Sequence, residues 1–172
     1  VATGSLPFGV AVNTVTNKAY VANYGSNTLT VINGATGATK TVSLAPYAEP
    51  SFIAVDESLT RVYVSMHKDG QLVVIDGTTD AVVAAAWVGT GAFGVAADPV
   101  LHRVYIGCRD NRLIRVFDGT TNTVRWGDTI YPGGEPFALA TDPVIRRLYA
   151  VFAPEGEQPD RTLVYRLDPN GT

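Results

Sequence analysis

The chain has 172 residues, 46% of them hydrophobic and 17% charged, with a formal net charge of -3. That composition supplies the core of one folded domain and excludes a disordered chain. It also excludes the basic stripe of a nucleic-acid binder, and no apolar run nears the roughly 20 residues of a membrane helix.

In chain order, Val1 to Leu6 read as the end of a strand, with no charged and apolar leader pattern before them, so a removed leader or a larger parent chain is expected. Residues 8–13 are small and apolar, suited to a crowded inner strand. Residues 14–17 carry turn chemistry, and Lys18–Asn23 is a second strand rich in β-formers. Tyr24–Asn27 breaks it, and Thr28–Ile32 alternates as a third strand. Asn33-Gly34 reads as a two-residue type I′ hairpin, whose central positions need positive φ. Lys40–Leu44 is the fourth strand.

This unit then recurs. Phe8, Phe52, Phe93 and Phe137 anchor the inner strands, each strand closing on Asn13, Asp56, Asp98 or Asp142. A tyrosine follows each time (Tyr20, Tyr63, Tyr105, Tyr149), and Asp76-Gly77 and Asp118-Gly119 repeat the Asn33-Gly34 turn. A period of about 42 residues in a β-rich chain predicts propeller blades. The fold class expected is therefore all-β: four-stranded antiparallel blades in one domain, with repeats at 7–50, 51–91, 92–135 and 136–172. The fourth repeat departs from the others through an insertion at 153–160. Residues 1–6 are expected to close its sheet as the outer strand. The chain then makes a four-bladed ring, part of a larger propeller, or half of a ring completed by a second copy.

Ala19-Tyr20-Val21-Ala22-Asn23 with Val31-Ile32-Asn33-Gly34 resembles the YVTN family of β-propeller repeats. So do Arg61-Val62-Tyr63-Val64-Ser65 with Val74-Ile75-Asp76-Gly77, and Arg103-Val104-Tyr105-Ile106-Gly107 with Val116-Phe117-Asp118-Gly119. The resemblance implies the fold, and a place outside the cytoplasm: extracellular, at the cell surface or periplasmic. It does not imply one activity, because such repeats occur in surface-layer proteins, secreted binding proteins and enzymes.

Most repeated polar residues read as architecture. The Asn or Asp closing each inner strand caps a tight turn. Lys18, Arg61, Arg103 and Arg147 are expected to pair with turn carboxylates of their own blade. The repeated Tyr and Phe read as packing wedges, and Cys108, the only cysteine, as a buried inert thiol. One cysteine and two histidines offer no thiolate zinc site, and no metal or cofactor is expected.

Function is sought where the repeats differ, in the loops after the second strands and between blades. Four positions after each Tyr stand Tyr24, His67, Arg109 and Ala153. With Asp69, Asp110, Arg112 and Glu155 they form the candidate binding face. Tyr47, Glu49, Tyr131 and Glu135 lie in the inter-blade loops. His67 with Asp69 invites an acid–base role, but spacing alone establishes neither contact nor pocket. The leading expectation is a non-catalytic binding or scaffold module for a protein or small polar ligand, with no nucleic acid and possible homo-oligomerisation. The alternatives are a propeller lactonase or lyase type of enzyme and a structural subunit of a surface assembly.

Overall fold

A computed structural model describes residues 1–152 and 161–166. The expected insertion, with Glu155, lies outside the described residues. Blade one is β1 (Pro7–Asn13), β2 (Lys18–Asn23), β3 (Thr28–Asn33) and β4 (Thr39–Ser43). Blade two is β5 (Pro50–Asp56), β6 (Arg61–Met66), β7 (Gln71–Asp76) and β8 (Val82–Trp87). Blade three is β9 (Ala92–Asp98), β10 (Arg103–Cys108), β11 (Leu113–Asp118) and the short β12 (Thr123–Val124), which gives way to a 3₁₀ turn at Trp126–Asp128. Blade four is β13 (Pro136–Asp142), β14 (Arg147–Phe152) and β15 (Arg161–Arg166). Every sheet is an antiparallel meander in sequence order, and the inner strands β1, β5, β9 and β13 stand side by side.

The core lies between blades. One apolar cluster joins Tyr20, Leu29 and Val31 to Val62, Val64, Val73 and Ile75; a second joins Tyr63, Leu72 and Val74 to Val104 and Phe117; a third joins Tyr105 and Val116 to Leu148 and Phe152. Each tyrosine is thus a wedge into the following blade. A buried aromatic of this size removes on the order of 150–250 Å² from water, about 4–6 kcal/mol of gross transfer free energy before ordering costs. Burial raises the Tyr63 phenol pKa and pushes that of Tyr105 up to about 12.

The repeated glycines are not hairpin residues. The connection from β3 to β4 spans residues 34–38, and positive φ falls at Gly37, Asp80 and Asn122, outside the Asn-Gly and Asp-Gly pairs. Asn33, Asp76 and Asp118 instead accept backbone N–H groups two and three residues on. Each following glycine donates its N–H to the preceding turn: Gly34 to Asn17, Gly77 to Thr60 and Gly119 to His102. Tyr20 Oη donates to the Gly77 carbonyl at 3.2 Å, and a Cβ on Gly119 would lie 2.3 Å from Tyr63 Oη. Close approach is the constraint: from Asn17 of the same blade at Gly34, from Thr60 of the same blade at Gly77, and from Tyr63 of the previous blade at Gly119.

Asn13, Asp56, Asp98 and Asp142 cap the turns after the inner strands through side-chain oxygens. Arg61 pairs with Asp76 of its own blade as expected. Lys18 does not stay in its blade: Nζ donates to the Gly77 and Thr78 carbonyls and to Asp80 of blade two. The lysine stem spans the blade gap, and that turn offers three acceptors together. Residues 1–6, expected beside the fourth blade, form no strand. Ser5 and Leu6 carbonyls accept from Gly25 and Tyr24, and the Gly4 N–H donates to Asn23, all within blade one.

The phenylalanines are not in one register. Each inner strand carries a β-bulge near its start. Counting from the pair with Tyr20, Tyr63, Tyr105 or Tyr149, Phe8, Phe93 and Phe137 share one position, whereas Phe52 stands one residue further on, opposite Gly9 and Gly94. The four bulges fall at the same place, so the offset lies in the sequence and not in the pairing, and Ser65 Oγ accepts from Phe52 N and donates to the Phe93 carbonyl.

Candidate functional site

The loops joining β2–β3, β6–β7 and β10–β11 meet the inter-blade loops on one face. At its centre the four phenylalanines make edge and tilted contacts: Phe8–Phe52 at 5.4 Å, Phe52–Phe93 at 5.1 Å and Phe93–Phe137 at 5.0 Å between centroids. Only Phe93 is buried; Phe8 is 51% and Phe137 37% exposed. The expectation that all four are core wedges is corrected here. The bulges turn these rings toward the axis, where they form an aromatic floor.

Polar groups rim that floor in two sets. Tyr24 Oη donates to Glu49 Oε2 at 2.7 Å, and His67 Nδ1 lies 3.2 Å from the same oxygen. These contacts hold the Glu49 carboxyl pKa below its ordinary range, the Tyr24 hydrogen bond contributing most and His67 next. The same bond raises the Tyr24 phenol pKa. The His67 ring meets Phe93 edge to face at 5.4 Å. In the second set, the Arg109 guanidinium lies over Phe93 at 5.1 Å and Phe137 at 5.5 Å, with Glu135 3.6 Å away. Arg109 Nε is buried without a hydrogen-bond partner among the described residues.

Backbone contacts fix this arrangement. The Glu49 N–H donates to Asn27 Oδ1, the His67 N–H to the Glu49 carbonyl, and the Arg109 N–H to the Gly91 carbonyl. Glu49 itself sits at φ 61°, ahead of Pro50. Asp69 is not the partner of His67. It accepts the Ala48 N–H and so anchors the loop that carries Glu49. Asp110 packs against Gly91, and the Arg112 N–H closes the loop by donating to the Arg109 carbonyl. The structure therefore brings Tyr24, His67 and Arg109 to the rim and gives Asp69 a supporting role. Glu49 and Glu135 were visible in the sequence as loop residues. Their pairing depends on loop curvature, although both precede a proline at the start of an inner strand.

Elsewhere Ser58, His102 and Asp56 gather on the opposite face. His102 Nδ1 lies 2.9 Å from Asp56 and 3.3 Å from Ser58 Oγ, and Ser58 donates to Asp56. One imidazole nitrogen faces both partners, so the histidine cannot relay a proton from serine to carboxylate through its two nitrogens. The cluster ties blade two to blade three. Among the described residues no group of His, Cys, Asp and Glu side chains could hold a metal ion. No described helix is long and apolar enough to cross a membrane.

No family model and no curated protein matches the chain. Among solved structures, hydrazine synthase from Kuenenia stuttgartiensis superposes with a TM-score of 0.85 at 17% identity, over 96% of this chain and 47% of that one. The fold is a β-propeller. The WD40 repeats of RRP9 agree at a TM-score of 0.76 and 12% identity, over 96% of this chain and 52% of that one. A nidogen/laminin complex agrees at 0.72 and 20%, over 95% and 65%. The chain spans between 47% and 65% of those chains. At such identities the likeness establishes the propeller and no activity.

Proposed function

We propose that this propeller is a non-catalytic binding or scaffold module whose ligand face is the aromatic floor with its Tyr24–Glu49–His67 and Arg109–Glu135 rim. The observation that carries this reading is the convergence of exposed phenylalanine rings with opposite charges from several blades on one side of the axis. Half-exposed aromatic rings supply apolar contact at low entropic cost, and arginine beside them adds directional hydrogen bonding. A protein segment or small polar ligand bearing a carboxylate or carbonyl beside an apolar group suits that surface. The WD40 neighbours support an interaction scaffold by analogy of fold. The YVTN-like strands support a secreted or surface-exposed member of such repeat proteins.

The reading is tested by capture from the producing cell's surface or secreted fraction with immobilised protein, comparing wild type, Arg109→Ala and His67→Ala. A specific ligand held by wild type and lost by both variants, with unchanged melting temperature, supports it. Equal capture by all three, or loss only where the melting temperature falls, overturns it.

A further inference from the structure

The junction of blades one and two and the junction of blades three and four are built alike, and both lie inside the chain. In each, the residue four positions after the repeat tyrosine reaches a glutamate just ahead of the proline that opens the next inner strand. Tyr24 reaches Glu49 ahead of Pro50, and Arg109 reaches Glu135 ahead of Pro136. Between blades two and three that place holds Gly91, and His67 turns back to Glu49 instead.

The two glutamates differ in what serves them. Glu135 has a permanent cation, and the same Arg109 guanidinium lies over Phe93 and Phe137. Glu49 has a neutral phenol and a histidine that is charged only when protonated. Both of these fall on Oε2. Oε1 accepts no hydrogen bond among the described residues, and the side chain is 31% exposed. The Tyr24 and His67 bonds hold the carboxyl low, so it is ionised at neutral pH, and Lys68 acts on it only as the weakest cause. Three residues on, the half-buried Phe52 ring meets Phe8, Phe93 and Phe137 at the centre of the floor.

We propose, building on the binding face described above, that Glu49 receives the guanidinium of an arginine side chain from a protein partner, with Phe52 as its platform. The chain shows the same recognition within itself, where Arg109 pairs with Glu135 across two phenylalanine rings. A guanidinium fits such a place because its planar fork matches a carboxylate while its face stacks on a ring. An ammonium offers the charge without the plane. A protein segment also brings main-chain carbonyls for Arg109. His67 and Arg109 lie 5.4 and 5.1 Å from the Phe93 centroid, so about three extended residues span both polar sets.

The test is an NMR titration of the 172-residue protein with the capped peptide acetyl-Ala-Arg-Phe-Ala-amide, read at the Tyr24 and His67 ring signals. Saturable shifts are expected. Affinity should fall about tenfold or more when citrulline, the neutral isostere, replaces the arginine, and equally in Glu49→Gln. Lysine in that place, and free arginine alone, should both bind more weakly than the arginine peptide. The citrulline comparison uses the wild-type chain, so it decides the matter even if Glu49→Gln fails to fold. The proposal is overturned by the absence of saturable shifts, by citrulline, lysine or free arginine binding as well as the peptide, or by unchanged affinity in a folded Glu49→Gln. The capture experiment separates this from the wider reading. Ligand lost by Arg109→Ala but kept by Glu49→Gln removes the arginine site and leaves the binding face, whereas ligand kept by both removes both.

Discussion

Replacing Gly94 with alanine tests the packing between blades three and four at a single atom. A Cβ there would lie 2.6 Å from the Phe137 carbonyl oxygen and 3.1 Å from Ala138 Cα. The first distance is roughly 0.8 Å inside ordinary contact, which begins at 3.4 Å, and both atoms belong to the backbone of β13. No side chain can rotate away, so the inner strand itself must move. Overpacking of this kind costs about 1–3 kcal/mol, and the lower backbone entropy of alanine in a strand returns roughly 0.5–1 kcal/mol. The net expected is a loss of ~1–2 kcal/mol. With a urea m-value of about 2 kcal/mol/M, the unfolding midpoint falls by roughly 0.5–1 M. Gly127→Ala is the control, because a Cβ there meets nothing within 4 Å. If Gly94→Ala unfolds at the same urea concentration as Gly127→Ala, the close strand approach is not what selects glycine.

Three further outcomes follow from the same geometry. Cys108 is fully buried, and burial pushes its thiol up to about 12, so it should resist an aromatic disulfide reagent at pH 8 in the native protein and react once in denaturant. Glu49 titrates below its ordinary value in the folded state, so its contribution to stability is complete above the unfolded value near ~4.3 and is lost as pH falls through the lower folded value. Tyr24→Phe removes the largest cause, and carboxyl-carbon NMR should then show the Glu49 midpoint moving up. Arg115→Met removes the bond from Nε to the Val88 carbonyl and the guanidinium 4.4 Å over Trp126. It should cost about 1–3 kcal/mol in chemical unfolding and alter emission from the stacked Trp87–Trp126 pair.

The blade was legible because it rests on local rules. Period-two patterning placed the strands, and Asn13, Asp56 and Asp98 announced their turns through their own side chains. The third strand of blade four lies at Arg161–Arg166. Several of the failures are contacts between blades. Lys18 reaches Asp80 across a gap that spacing within one repeat does not reveal. Gly119 resembled a hairpin glycine because the reason for it, Tyr63 of the previous blade, lies more than fifty residues earlier. The offset of Phe52 stood in the sequence as a shorter spacing to the closing Asp56, four residues against five in the other repeats. At the site, residue types were visible, but Glu49 as the shared partner of Tyr24 and His67 required the curvature of two loops.

The forward lean of the tyrosines makes the arc directional. Tyr20 bonds the Gly77 turn and Tyr63 abuts the Gly119 turn, whereas the close neighbours of Gly34 all belong to Asn17 of its own blade. Among the described residues, the Gly77 and Gly119 turns are each met by the tyrosine of the preceding blade. Amide exchange near native conditions proceeds through local openings of such turns. Tyr20→Phe should therefore let the Gly77 turn trade its protons for deuterium faster, while the Gly119 turn, met by Tyr63, keeps its rate.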